Sequence, residues 1–223
     1  MKAVSGEYAF SFSGGALCLD FVNTMSGARA RPEERLNTYL DLVSWGRQAG
    51  LLTEREAQRL GRAVRLRPAD AARMLEEARA LREALFRIFQ AAIDRRPPSG
   101  DDLDVLNAAL SAAHSHLRLK AGGSGFEWGW TDAPDALDRM LWPVVRSAVE
   151  LLTSPQRSRL HICESPTCDW LFLDMSRNRS RRWCDMRDCG NRAKARRYYA
   201  RHKSENHSKR TEDGVFGRPG PLI

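Results

Sequence analysis

Four of the five cysteines in this 223-residue chain fall in its C-terminal third, as two C-x4-C pairs. Cys163 and Cys168 form the first pair, Cys184 and Cys189 the second, and fifteen residues separate them. That is the spacing of a structural zinc site. Each short loop brings two sulfurs to one side of an ion, and the intervening chain returns as a hairpin with the other two. Four thiolates then close a tetrahedron and leave no open position for a substrate. The segment between the pairs suits this, because WLFLD reads as strand and SRNRS as turn. The residues after Cys189 read as a helix, so the second pair lies at a helix start, where the dipole favours negative sulfur. Two other readings stay open at this point, a redox thiol pair and unrelated buried thiols. A redox pair usually takes the form C-x-x-C beside a βαβ pattern, which is absent. Cys18, in ALCLDFV, reads as a small buried hydrophobe. His161 reads as a neighbour of the cysteines rather than a ligand. The expectation is one structural Zn²⁺.

Charge divides the chain. The net charge is +8, yet residues 1–154 balance at 20 basic and 20 acidic, and residues 155–223 carry 16 against 8. Within residues 175–210 there are 13 basic and 3 acidic side chains. A centre of four thiolates around Zn²⁺ has a formal charge of −2, which accounts for some of these arginines but not for the rest. The surplus runs into GNRAKARRYYARHK, residues 190–203, where basic residues interleave with Tyr198 and Tyr199 and no acid occurs between Asp188 and Glu205. Such a helix suits phosphate contact combined with stacking or groove contact. The candidate nucleic-acid contacts are Arg181, Arg182, Asn191, Arg192, Lys194, Arg196, Arg197, Arg201 and Lys203, with DNA favoured over RNA. Asn191 and Arg192 stand at the helix start, the end that reaches base edges in many DNA-binding helices. Equally, they could cap the helix and neutralise the metal site. A docking surface for an acidic protein and a merely solubilising helix are the alternatives.

The rest of the chain reads as helical. In PEERLNTYLDLVSWGRQAG, Leu36, Tyr39, Leu40 and Val43 form an apolar stripe that Gly50 terminates. Thr53 and Glu56 form a capping box for the next helix. Pro68 suits the first turn of a long third helix to about Asp94, striped by Leu75, Ala78, Leu81, Leu85, Ile88 and Phe89. After the break RRPPSGDD, Asp101 or Asp102 can cap a fourth helix bearing Leu103, Leu106 and Leu110. Period-two alternation on both sides of AGGSG predicts a β-hairpin that carries Leu117, Leu119, Phe126, Trp128 and Trp130. In ALDRMLWPVVRSAVELLTS, Pro143 predicts a kink or a break between two short helices. SPQRS, residues 154–158, reads as a hinge, and His114 and His116 read as surface or satisfied histidines. No stretch has the apolar length of a membrane span, and MKAVSGEYAF lacks the apolar core of a signal peptide, so the expected compartment is the cytoplasm.

The residues around the second cysteine pair resemble the CGNR zinc finger, named for the tetrapeptide that stands here as Cys189-Gly190-Asn191-Arg192. Both C-x4-C pairs, WLFLD, Arg-Arg-Trp-Cys and KARRYYAR belong to that resemblance. GGALCLDFVNT, residues 14–24, and PVVRSAVELL resemble the ABATE domain that precedes this finger. The resemblance implies a bacterial stress-induced transcription regulator with zinc held by Cys163, Cys168, Cys184 and Cys189. The expected architecture is mainly α. It comprises a helical domain with a small β-hairpin over 1–153, a zinc module over 154–204 with a zinc-bound hairpin and a basic helix, and a flexible tail over 205–223. The expected function is nucleic-acid binding in transcriptional control, without catalysis, with the N-terminal domain sensing a small-molecule effector or forming a homodimer. The rival is an enzyme or small-molecule binder with its pocket in the N-terminal domain and the finger as accessory. In LDFVNT, Asp20, Asn23 and Thr24 share one helical face with Arg29 nearby. They are either a ligand site or ties to neighbouring backbone.

Overall fold

The computed structural model describes residues 8–28, 30–123 and 125–212, and for Arg201 and residues 203–212 it describes helical backbone alone. Arg29, the side chains of Arg201 and Lys203, and residues 213–223 of the expected tail therefore lie outside the described residues, while residues 205–212 of that tail are helical rather than irregular. The fold is mainly α, with seven α-helices among the described residues and three antiparallel strand pairs. It divides into two compact units, Met1–Cys184 and Asp185–Ile223. The division falls after the third finger cysteine, well beyond the change of sequence texture near residue 154.

In the first unit, α1 (Leu17–Val22) leads to a minimal strand pair, β1 (Met25–Ser26) with β2 (Glu33–Glu34). Next come α2 (Tyr39–Gln48) and α3 (Glu54–Leu66), and each opens with a capping box. Thr53 and Glu56 form the one expected from sequence. In the other, Asp41 accepts from the Thr38 backbone N–H at 2.7 Å while the Thr38 hydroxyl accepts from the Asp41 N–H. Because Thr38 is the cap, Leu36 precedes the helix, yet Leu36, Tyr39 and Val43 are buried as the stripe predicts. Leu42, Val43 and Trp45 face the core and Leu40 faces solvent. Gly50, at φ +74°, ends the segment in the left-handed region, as its position predicts.

The organising element is α4 (Pro68–Ile93), with Pro68 in its first turn and all six predicted stripe residues buried. It packs against α1, α2, α3, α5 (Gly100–His116) and α6 (Leu141–Thr153). Its Arg82, 1% exposed, is satisfied by both oxygens of the Glu34 carboxylate at 2.7 and 2.5 Å and by the Thr24 hydroxyl at 3.3 Å. Buried charge requires such pairing. Asp102 does not cap α5. Ser99 is the cap residue, and Asp102 is drawn into an ion pair with Arg87 of α4 at 2.6 Å.

The hairpin predicted around AGGSG forms from β3 (Leu117–Gly122) and β4 (Gly125–Trp130). Its alternation does not mark a core face: Leu119, Phe126 and Trp128 are exposed, while Trp130 packs on Trp142 with ring centroids 5.8 Å apart. His116 stacks on Trp142 at 3.9 Å and contacts the Thr131 hydroxyl at 3.0 Å, a satisfied histidine as its position suggests. Pro143 neither kinks nor breaks the chain. It is the third residue of α6, where the helix requires no N–H from it.

A 3₁₀ turn (Pro155–Arg159) then leads to β5 (Leu160–Ile162), which pairs with β6 (Leu171–Leu173). Leu160, Leu171 and Leu173 are members of the same apolar cluster as the helices. The strand pair is seated on the GGALCLDFVNT segment. Asn23 donates to the Leu171 carbonyl and accepts its N–H, both at 2.9 Å, and the Leu173 N–H donates to the Gly14 carbonyl at 2.8 Å. The Trp170 indole adds a bond to the Met25 carbonyl at 2.9 Å. The second unit begins with a π-helical turn (Met186–Gly190) and continues as α7 (Asn191–Glu212). Among the described residues no helix is long and apolar enough to cross a membrane.

Asn23→Ala would strand two buried backbone groups of Leu171, at a cost of about 2–4 kcal/mol. Urea unfolding followed by circular dichroism should show that loss; a change below about 0.5 kcal/mol would contradict this seating.

Candidate metal centre

The first knuckle is built by backbone bonds. The Cys163 N–H donates to Trp170 O, the Cys168 N–H to Ser165 O, and the Glu164 N–H to Arg182 O, all between 2.9 and 3.0 Å. The last of these brings the chain before the second pair alongside the first. The sulfurs of Cys163, Cys168, Cys184 and Cys189 all lie within 4.8 Å of one another, and all four residues are buried. Cys168 and Cys184 have their sulfurs 3.7 Å apart. A tetrahedron with metal–sulfur bonds of about 2.3 Å has edges of about 3.8 Å, so the donor set and its spacing fit zinc. His161 stands apart from the set and stacks on Phe172 at 5.8 Å. Cys18 is buried among apolar neighbours, and that burial pushes its thiol up to about 12.

Without a cation the cluster shares protons unevenly. Hydrogen bonds from Cys168 and Cys184 hold the Cys163 thiol far below its ordinary range, with backbone N–H groups of Cys184 and Ser165 assisting. The same bonds push Cys168 and Cys184 upward. A cation must displace the remaining protons, so its affinity falls as pH falls.

The tetrapeptide that begins at Cys189 has a role for each residue. Gly190 leaves room for Met186, whose sulfur would lie 3.2 Å from an added Cβ. Asn191 donates to the Arg187 carbonyl at 2.9 Å and so fastens the π-turn to α7. Arg192 donates to the Cys189 sulfur at 2.9 Å and pairs with Asp188 at 3.0 Å. Both Asn191 and Arg192 are thus engaged locally.

Arg181 is also turned inward. Its guanidinium lies 4.6 Å over the Phe172 ring and donates to the carbonyls of Trp183, Cys184 and Ser13. Nothing in its sequence context distinguished it from Arg182, which is exposed, paired with Glu164 and 5.3 Å over the Trp183 ring. Asp174, fully buried, accepts from the backbone N–H groups of Ser176 and Arg181 and shapes the intervening SRNRS turn. The Ser176 side chain, helped by these backbone bonds, holds its carboxyl below the usual carboxylate range. Beyond Arg192, residues 194–200 of α7 are all exposed. They present Lys194, Arg196 and Arg197 beside Tyr198 and Tyr199, which are 60% and 71% exposed.

The motif residues of LDFVNT serve the protein's own backbone. Asp20 accepts the Gly14 N–H at 2.8 Å, Asn23 grips Leu171, and Thr24 donates to the Phe21 carbonyl at 2.7 Å. All three are buried. Burial raises the Asp20 carboxyl to about 6, against the pull of its single N–H bond. The folded state therefore favours the protonated form. Asp20 contributes most stability below about pH 4, and that contribution is lost as pH rises through about 6. Asp20→Asn should raise stability at pH 7.5 by about 1–3 kcal/mol, leave it nearly unchanged at pH 4, and flatten the dependence between. Denaturant midpoints across that range check this. Arg192→Gln should lower metal retention about ten-fold in a chelator competition, because the sulfur loses a charge-assisted donor. Unchanged retention would separate Arg192 from the centre.

Residues 15–155 match the ABATE family model, described as "Putative stress-induced transcription regulator", and residues 159–202 match that of the CGNR zinc finger. No curated protein matches the chain. By a match over more than half its length, the chain belongs to the ABATE family and carries a CGNR zinc finger after that domain.

Proposed function

We propose that this chain is a zinc-containing regulator that binds nucleic acid, DNA in preference to RNA, and acts by binding rather than by catalysis. One observation carries the reading. Between residues 191 and 200, α7 buries Ala193 alone, so its outer surface answers to no core of its own. That surface is basic and aromatic, and Tyr198 stacks edge-on with Tyr199 and His202 at 5.7 and 4.1 Å. Local partners account for Arg181 and Arg192, and Glu164 offsets Arg182. Lys194, Arg196 and Arg197, the last also bonded to the Ala193 carbonyl at 3.4 Å, are the candidate phosphate contacts among the described residues, and Arg201 and Lys203 continue the same run in sequence. A single helix fits the B-DNA major groove, about 12 Å wide, whereas the major groove of A-form RNA is too deep and narrow for side chains to read.

Zn²⁺, when bound, supplies a tetrahedral link among Cys163, Cys168, Cys184 and Cys189 and offers no open position for chemistry. The protein supplies the rest: burial excludes water from the sulfurs, Arg192 offsets their charge, and Asn191 fixes the helix start. The family description and the finger support a role in transcription control.

Anisotropy titrations of the zinc-loaded chain on a random DNA duplex should show affinity falling steeply with salt, with a slope near −0.9 per phosphate contact. Substituting Lys194, Arg196 and Arg197 together with Gln should reduce that slope by about 2–3. Absence of binding at about 50 mM salt, or an unchanged slope, would reject the interface. A parallel titration on duplex RNA tests the preference for DNA.

A further inference from the structure

A cavity of about 850 Å³ opens in the first unit where the end of α4 meets the start of α5, the end of α6 and the 3₁₀ turn before β5. Its wall is apolar, with Ile88, Ile93, Leu103, Leu152 and Leu160, and its charged lining is cationic, with Arg95, Arg96 and Arg157 and no acid. The volume lies within the range of small-molecule sites, and the combination of an apolar body with a few polar groups is their usual composition. It is distinct from Asp20, Asn23 and Thr24, which the backbone engages.

The arginines are not equally engaged. Arg96 has Asp94 at 3.4 Å, and Arg157 gives one nitrogen to the Leu152 carbonyl at 3.1 Å. Arg95 makes no side-chain hydrogen bond or ion pair among the described residues. Its backbone sits at φ +55°, the left-handed cap position after α4, with the Arg96 N–H donating to the Ala91 carbonyl at 3.0 Å. Glycine takes that position without steric cost, so an arginine there is held in an unfavourable conformation. Strain of this kind points toward a function when the side chain faces a cavity.

We propose that this cavity binds an amphipathic organic anion, with the apolar body against Ile88, Ile93 and Leu152 and a carboxylate or phosphate head on Arg95 and Arg157. Leu160 and His161 of β5 form part of the same wall, two residues before Cys163, so an occupant would touch the strand that enters the first knuckle. The inference stands on the first unit alone and is independent of DNA binding.

Arg95→Gly is a discriminating variant, because it removes the cation while relieving the backbone. The full zinc-loaded chain is titrated calorimetrically with decanoate, decyl phosphate and decanol. The anions should bind at least about ten-fold more tightly than the alcohol, in line with one charge-assisted contact. Arg95→Gly should weaken the anions about ten-fold, leave decanol unchanged and not lower the melting temperature; Arg157→Gln should weaken them in the same direction. The stronger of the two anions identifies the head group. Equal affinity for decanol and the anions, insensitivity to Arg95→Gly, or no saturable binding at millimolar ligand would each overturn the proposal.

Discussion

The two hydrogen bonds between Asn23 and the backbone of Leu171 are the constraint on which the first unit depends. A three-residue strand pair cannot stand alone in water, since it buries too little surface to repay its ordering. Here the β5–β6 pair is completed by side-chain mimicry of a strand, with Asn23 acting as donor and acceptor, and by the Gly14 carbonyl. Leu160, Leu171 and Leu173 then join the helical core. The first three finger cysteines therefore stand on a scaffold that the ABATE segment provides.

Charge around the sulfurs follows from the same geometry. Four thiolates and one divalent cation leave a negative centre, and Arg192 answers it directly at the Cys189 sulfur. Arg181 instead lies over the Phe172 ring and ties together the carbonyls of Ser13 and Trp183, a packing role that its guanidinium fork suits. Apart from these two, the basic residues of this region are Arg177, Arg179, Arg182 and Arg187 before α7 and the run from Lys194 onward along it.

Much of this was legible in the sequence because the signals were local. The Thr53–Glu56 box, Pro68 at a helix start, Gly50 at a stop, the α4 stripe and each C-x4-C pair depend on residues within a single short segment or helix. What was not legible depends on distant partners. Asp102 has the sequence position of a cap but pairs with the distant Arg87, and Pro143 reads as a kink because the helix start at Leu141 carries no side-chain cap to mark it. The hairpin alternation was real, yet period two says only that one face is apolar, not that anything covers it. For LDFVNT, the helical spacing was visible but its occupant, a strand almost 150 residues onward, was not. The family matches meet between residues 155 and 159, near the change of texture at 154, while the first compact unit runs on to Cys184.

β5 and β6 belong to the helical core, whereas the π-turn and the start of α7 would rely on a zinc ion held in part by Cys189. Hydrogen exchange of the zinc-loaded chain before and after chelation tests it most directly. Leu160–Ile162 and Leu171–Leu173 should keep their protection without metal, while residues 185–200 should lose theirs. Collapse of protection across both segments together, or retention in both, would contradict it.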